Sequence, residues 1–181
     1  MAENSGGNNG YKTGEILITE DEIRKRAAEI GSEISEDLAG EPVLIVGILK
    51  GAILWMSDLI KCIKAPVSID FMAVSSYGAA TKTSGVVRIN KDLDIAVTGL
   101  NVIIVEDIID SGVTLNYLKS MLLARNPKSL KICALLDKPT RRRAEIKADY
   151  VGFTVDDLFI VGYGLDVDQQ FRNLPYITYI I

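Results

Sequence analysis

The chain of 181 residues contains no histidine. That absence removes Ser-His-Asp and Cys-His nucleophilic catalysis and the HExxH metal site, so proton transfer falls to Asp, Glu, Lys, Tyr or solvent. Cysteine is nearly absent as well. Cys62 and Cys133 lie apart in apolar surroundings, without metal-ligand spacing, and read as buried bystanders in a reducing cytoplasm. No apolar run approaches the roughly 20 residues of a transmembrane helix. Met1 to Gly14 are rich in Gly and Asn where a secretory signal would be apolar, and are expected to form a disordered tail ahead of one domain over 15–181. A Walker GxxxxGK[ST] loop and a proper dinucleotide fingerprint are also missing, which leaves the usual nucleotide folds without their motif. The net charge of −4 argues against a generic nucleic-acid binder.

What is present is enough apolar material for a sizeable core, 48% of the chain. Glu20 to Leu38 has helical periodicity, with Ile23, Ala27, Ile30, Ile34 and Leu38 on one stripe. Thr19 is placed to cap it, and Glu22 completes a capping box. Nearly continuous apolar runs of strand type follow at Val43 to Leu49, Val67 to Ser75, Val102 to Ile108 and Leu130 to Leu136. Ala52 to Ile63 and Thr114 to Arg125 read as helices. Val86 to Ile89 reads as the return arm of a hairpin, and Tyr150 to Phe153, Phe159 to Gly162 and Tyr176 to Ile181 as short extended pieces. Strands that are apolar throughout, alternating with helices, predict a parallel α/β sheet covered on both faces, with a small extra subdomain.

The most informative segment is Val102 to Thr114. Its strand ends in Glu106 and Asp107, two apolar residues intervene, and Asp110-Ser111-Gly112-Val113-Thr114 opens a helix. Carboxyl ends of strands are where open α/β sheets bind ligands. N–H groups and the dipole at the helix start favour an anion such as phosphate. Carboxylates beside a phosphate repel it unless a divalent cation or sugar hydroxyls lie between, so a ligand with phosphate, polyol and Mg²⁺ suits every part. Asp110 or Ser111 could act only as an N-cap, but that leaves Glu106 and Asp107 unexplained.

Other segments carry chemistry at the same edge. Lys50-Gly51 follows the first strand, where the lysine could meet phosphate and the glycine lets backbone approach a ligand. Ser75 to Gly85 is a long, small and polar connection between extended segments, of a length that is usually functional or disordered. Lys138 follows the strand ending at Asp137, where an ammonium donor suits a carbonyl acceptor. Arg141-Arg142-Arg143 reads as a solvated basic turn without a catalytic role. Phe159-Ile160-Val161-Gly162-Tyr163-Gly164-Leu165-Asp166, with Arg172 beyond, is the last constellation.

The acidic pair, two apolar residues, Asp, Ser, Gly, any residue and Thr closely resemble the phosphoribosyl-pyrophosphate (PRPP) motif of the type I phosphoribosyltransferases. Leu49-Lys50-Gly51, Ser76-Tyr77-Gly78, Lys138, the Phe159 to Asp166 run and Arg172 resemble the 6-oxopurine branch of that family, in the right order from about Ile16 to Ile177. The resemblance implies the family's parallel sheet flanked by helices, with a small hood subdomain and a mobile hairpin loop. It implies Mg²⁺-dependent purine salvage in the cytoplasm: transfer of phosphoribosyl from PRPP to N9 of hypoxanthine or guanine, giving IMP or GMP plus pyrophosphate. It further implies a homodimer or homotetramer, with no nucleic-acid or membrane partner.

Residue by residue, it implies Asp110 as general base and Ser111, Gly112, Val113 and Thr114 as the 5′-phosphate cradle. Glu106 and Asp107 would face the ribose hydroxyls and Mg²⁺. Lys50, Gly51 and Arg172 would contact pyrophosphate, and the peptide before the lysine can be cis in this branch. Ser76 and Tyr77 would belong to the closing loop. Lys138 would read the 6-oxygen, Phe159 would stack on the purine, and backbone near Ile160 would hold the base edge. Asp166 would ligate a second Mg²⁺ and read the purine 2-position. Two departures stand out: Val113, where some relatives carry Lys, and a C-terminus shorter than in many relatives. A PRPP-sensing, RNA-binding regulator on the same fold is the alternative, as is a different acceptor base.

Overall fold

A computed structural model describes residues 10–76 and 87–181. The chain opens, after Thr13 and Ile18 pair with Ile180 and Ile177, on α1 (Glu20–Leu38). Its capping box is formed: the Glu22 N–H donates to Thr19 Oγ1 at 3.3 Å and the Thr19 N–H to Glu22 Oε2 at 2.8 Å. Ala39, in the left-handed region at φ 49°, ends the helix. Then follow β1 (Val43–Leu49), α2 (Ile53–Ile60), β2 (Val67–Ser76), β3 (Val87–Lys91), β4 (Asn101–Ile109), α3 (Val113–Leu123), β5 (Ser129–Asp137), a 3₁₀ turn (Pro139–Arg141), β6 (Tyr150–Thr154), β7 (Ile160–Val161) and β8 (Thr178–Tyr179). Helix α2 is shorter than its apolar pattern predicts. The N–H groups of Cys62 and Ile63 bond back only three residues, to Leu59 and Ile60, so its last turn is tightened out of α geometry.

Six strands form one sheet in the order β3-β2-β1-β4-β5-β6, parallel except for β3, which returns antiparallel to β2 at the edge. The apolar runs are explained by two faces, each buried. Val43 and Ile45 of β1 join Ile23, Ile30, Trp55 and Leu59 beneath α1 and α2. Leu44 and Val46 join Leu115, Leu118 and Leu122 beneath α3. Cys133 lies in the first of these cores, where burial pushes its thiol up to about 12, and Cys62 is half-buried. The small second sheet, β7 with β8, pairs with the N-terminal segment through Gly14 N–H to Tyr179 O at 2.8 Å. Among the described residues, no helix is long and apolar enough to cross a membrane.

This topology fixes where a ligand can bind. Chain order runs from β1 outward to β2, then jumps back across β1 to β4. The crevice at the carboxyl ends of β1 and β4 is the switch point of the sheet.

Candidate active site

Strand β4 is buried from Asn101 to Val105 and emerges at Glu106 and Asp107. Among the described residues, one enclosed Glu106 carboxylate oxygen has no hydrogen-bond partner. Burial, then the neighbouring Asp107, hold the Glu106 pKa well above the carboxylate range. Burial likewise pushes Asp107 up to about 6, against the Ile108 N–H that donates to it at 2.8 Å and the charge of Arg172, while Asp166 adds repulsion. Two half-buried carboxylates whose pKa values are both raised mark a place where positive charge is wanted. Their hard oxygen donors fit Mg²⁺, which holds few protein carboxylates and keeps its waters. Among the described residues no three acidic groups converge on one point, so Glu106, Asp107 and Asp166 do not form a ready-made cage.

The turn from β4 into α3 is built to leave N–H groups free. The cap position is Gly112 at φ 75°, and no side chain caps the helix, so neither Asp110 nor Ser111 is spent as an N-cap. Only Ser111 Oγ comes near, 3.4 Å from the Val113 N–H. A Cβ on Gly112 would lie 2.5 Å from the Ile146 side chain and 3.1 Å from that of Arg142. Val113 begins α3 exposed, and Thr114 is half-buried beside it. Orphan donors, a glycine that brings backbone close and the helix dipole together make an anion cradle.

The basic turn differs from its sequence expectation. Arg142 is mostly buried: it pairs with Asp137 and donates from Nη1 to the Asp110 carbonyl at 3.0 Å. The N–H groups of Arg143 and Ala144 donate to the Ser111 carbonyl at 2.9 and 3.1 Å. This segment is therefore the back support of the cradle. Arg141 reaches the site itself, with Nε 3.1 Å from Asp110 Oδ1 and Nη1 3.3 Å from Asp157 Oδ2.

Two cavities meet here. One of about 180 Å³ runs over Glu106, Asp110, Ser111, Gly112 and Thr114. The other, of about 420 Å³, is lined by Asp110, Lys138, Asp157, Phe159, Ile160 and Leu165, among others. Asp110 and Ile108 line both. Lys138 is buried in the larger one, with Nζ donating to the Leu158 carbonyl at 2.5 Å. Phe159 is 60% exposed, a large aromatic residue at the cavity, while Ile160 beside it is buried in β7.

On the β1 side, the Leu49–Lys50 peptide is cis. A Cβ on Gly51 would lie 1.5 Å from Asp107 Oδ2, so the first loop rests directly on that carboxylate. Lys50 Nζ donates to Gln169 Oε1 at 3.0 Å. Arg172 pairs with Asp166 Oδ1 at 2.6 Å and donates to the Gly164 carbonyl at 2.5 Å, and its enclosed Nε has no partner among the described residues. The fold thus gathers Lys50, Gly51, Glu106, Asp107, Asp110 to Thr114, Lys138, Phe159, Ile160, Asp166 and Arg172 along one edge. Ser76 ends β2 at the same edge, and Tyr77 lies outside the described residues. Arg141, Arg142, Asp157 and Gln169 escaped sequence reasoning, because each is tied to the site by partners distant in sequence.

The chain matches the Phosphoribosyl transferase domain family over residues 14–168. It is 53% identical over 162 residues to the hypoxanthine-guanine phosphoribosyltransferase of Bacillus subtilis, covering 90% of each chain. The corresponding protein of Mycobacterium tuberculosis is 47% identical over 168 residues, 90% of this chain and 83% of that one. A Bacillus anthracis hypoxanthine-guanine phosphoribosyltransferase, solved with a HEPES molecule in its active site, superposes with a TM-score of 0.90 at 46% identity, covering 94% of this chain and all of the other.

Proposed function

The chain belongs to the phosphoribosyl transferase domain family, and from that premise we propose that it is a purine-salvage hypoxanthine-guanine phosphoribosyltransferase. It transfers 5-phosphoribosyl from PRPP to N9 of hypoxanthine or guanine, releasing pyrophosphate and IMP or GMP. The observation that carries this reading is the position of Asp110, which lines both the anion cradle and the aromatic-edged cavity. A carboxylate there reaches the ring of a base whose sugar donor is anchored one cavity away.

In this reading the 5′-phosphate sits on the N–H groups and hydroxyls of Ser111 to Thr114. Glu106 and Asp107 face the ribose hydroxyls. Lys138 donates to the 6-oxygen and the Phe159 ring covers the purine, two contacts that suit a 6-oxopurine. Backbone at Ile160 meets the edge of the base. As the N9 lone pair forms its bond to C1′, the C1′–O bond breaks and its electrons leave with pyrophosphate. The proton on N7 passes to a carboxylate oxygen of Asp110. Positive charge that builds on the ribose ring is stabilised by the acidic edge, and charge on the leaving group by Lys50 and Arg172. Glu106, Asp107 and Asp166 would hold Mg²⁺, directly or through water, and the ion would supply positive charge to offset that of the diphosphate.

Pyrophosphate release from PRPP and Mg²⁺, measured separately with hypoxanthine, guanine, xanthine, adenine, uracil and orotate, tests the reading. Turnover with hypoxanthine and guanine is expected, and the xanthine arm sets its breadth. Turnover only with another base would overturn the base pocket. No turnover with any base would overturn the transferase.

A further inference from the structure

Among the described residues, Gln169 is the one uncharged acceptor shared by the two cations of the pyrophosphate side. Its Oε1 takes Lys50 Nζ at 3.0 Å and lies 3.4 Å from Arg172 Nη2. Among the described residues Lys50 Nζ has no other acceptor. Gln169 is not held there by burial, since its side chain is exposed. It is held by backbone: Asp168 and Gln169 are both left-handed, at φ 49° and 64°, and the Gln169 N–H donates to Asp166 Oδ2 at 2.8 Å. The same loop is tied from outside by the Tyr11 hydroxyl, which donates to Asp168 Oδ2 at 2.6 Å.

An oxygen placed between a lysine and an arginine occupies the position a diphosphate oxygen would need. We propose that the Gln169 side-chain oxygen is a built-in placeholder for a diphosphate oxygen, holding Lys50 and Arg172 convergent until PRPP or pyrophosphate displaces it. This rests on the function proposed above, and it assigns the role of a positioning residue to a position that none of the recognised motifs contains.

The neutrality of the amide is the essential part. A diphosphate oxygen carries a negative charge that the amide oxygen lacks, so Coulomb attraction to the two cations adds to the hydrogen bonds. A phosphate oxygen therefore wins the exchange with an amide, and Lys50 and Arg172 change partner without either being left bare. When pyrophosphate leaves, the amide oxygen returns and spares Lys50 an unpartnered state, while Arg172 keeps Asp166 and the Gly164 carbonyl, so it assists release. A carboxylate at position 169 would bind both cations as an ion pair and would not yield readily.

The test is binding of inorganic pyrophosphate with Mg²⁺ to the full chain, by titration calorimetry, together with KM for PRPP and for hypoxanthine. In Gln169→Glu, pyrophosphate binding and the KM for PRPP are expected to weaken by about tenfold or more, as for a competing charge held in the site, with the KM for hypoxanthine as the internal control. In Gln169→Ala, which removes the competitor, pyrophosphate affinity is expected to hold or to rise up to about threefold. Weakening in both variants would make Gln169 an ordinary ligand contact and overturn the placeholder. No change in either would overturn it too, and so would a rise in the hypoxanthine KM equal to that for PRPP. The wild-type chain separates the two ideas: if it fails to turn over any base, the transferase reading has failed, whatever the variants do.

Discussion

The Arg141 guanidinium lies with Nε 3.1 Å from Asp110 Oδ1, and its Nη1 is 3.3 Å from Asp157 Oδ2. It therefore bridges two carboxylates that line the larger cavity with it, the one assigned as general base and Asp157. Arg141 and Asp110 are each about half-exposed, at 50% and 46%, so solvent screens the pair and its share of folding stability is small. Its effect is on orientation. Arg141→Ala is expected to lower kcat/KM for the base by about fivefold to tenfold, with the melting temperature little changed. Arg141→Lys restores part of the loss, because a cation without the guanidinium fork can meet only one of the two carboxylates well. Steady-state kinetics with hypoxanthine varied at saturating PRPP read the effect, and an unaltered kcat/KM in the Ala variant would remove Arg141 from the site.

Asp110→Asn keeps the shape of the turn, since the Asp110 carbonyl, not its side chain, takes the hydrogen bond from Arg142. The fold is expected to survive, and turnover to fall about 10²- to 10⁴-fold through loss of a general base. Product formation per minute against a melting curve on the same sample separates the two. Full activity in the Asn variant would place the proton acceptor elsewhere.

How much of this was legible in the sequence follows from how local each signal is. The strand from Val102, the paired carboxylates Glu106 and Asp107 and the helix start at Val113 are consecutive, so periodicity and chemistry could be read together. The α1 capping box spans four residues and was equally readable. Arg142 was not. A run of three arginines is ordinarily a solvated turn, and what buries this one is Asp137 together with a carbonyl that lies 32 positions away. Gln169 meets Lys50 across 119 positions, a proximity that exists only once β1 and the loop after β7 have folded against each other. The end of α2 was overestimated because Cys62 and Ile63 continue the apolar pattern after the hydrogen bonding has changed.

Gly51 has no room for a methyl group. Its Cβ would lie 1.5 Å from Asp107 Oδ2 and 2.4 Å from the carboxyl carbon, and that short, half-buried side chain is held by the Ile108 N–H at 2.8 Å. Gly51→Ala is expected to cost about 1–3 kcal/mol, the range for overpacking a tight site, and to raise the KM for PRPP by displacing Asp107. The clash identifies its own control. Combining Gly51→Ala with Asp107→Ala should cost less stability than the sum of the two single changes, since the second removes what the first collides with. Urea unfolding of the three variants measures this, and simple additivity would show that the loop relieves the contact in another way.

Asp70 gives the fold an acid-sensitive anchor away from the site. It is buried on β2, 6% exposed, and ties that strand to the segment after β3: Oδ2 accepts the N–H groups of Asp94 and Ile95 at 2.8 and 2.9 Å, while Oδ1 accepts that of Phe71 at 2.7 Å and faces Lys91. Burial by itself would raise its pKa, but the N–H groups of Ile95, Phe71 and Asp94, with Lys91, outweigh it and hold the carboxyl below its ordinary value of 3.8. A carboxyl depressed in the folded state adds stability that is complete above the unfolded pKa and is lost as pH falls through the folded one. Asp70→Asn is therefore expected to cost about 1–3 kcal/mol at pH 7, as for a buried acceptor replaced so that its donors lose a charged partner. The difference from wild type should stay level down to about pH 5 and shrink below about pH 4, as the native carboxyl itself becomes protonated. Urea midpoints of both proteins at pH 7, 5 and 3.5 follow that convergence. A gap that widened towards low pH would have the opposite sign, and would mean that Asp70 is destabilising when ionised despite its three N–H donors.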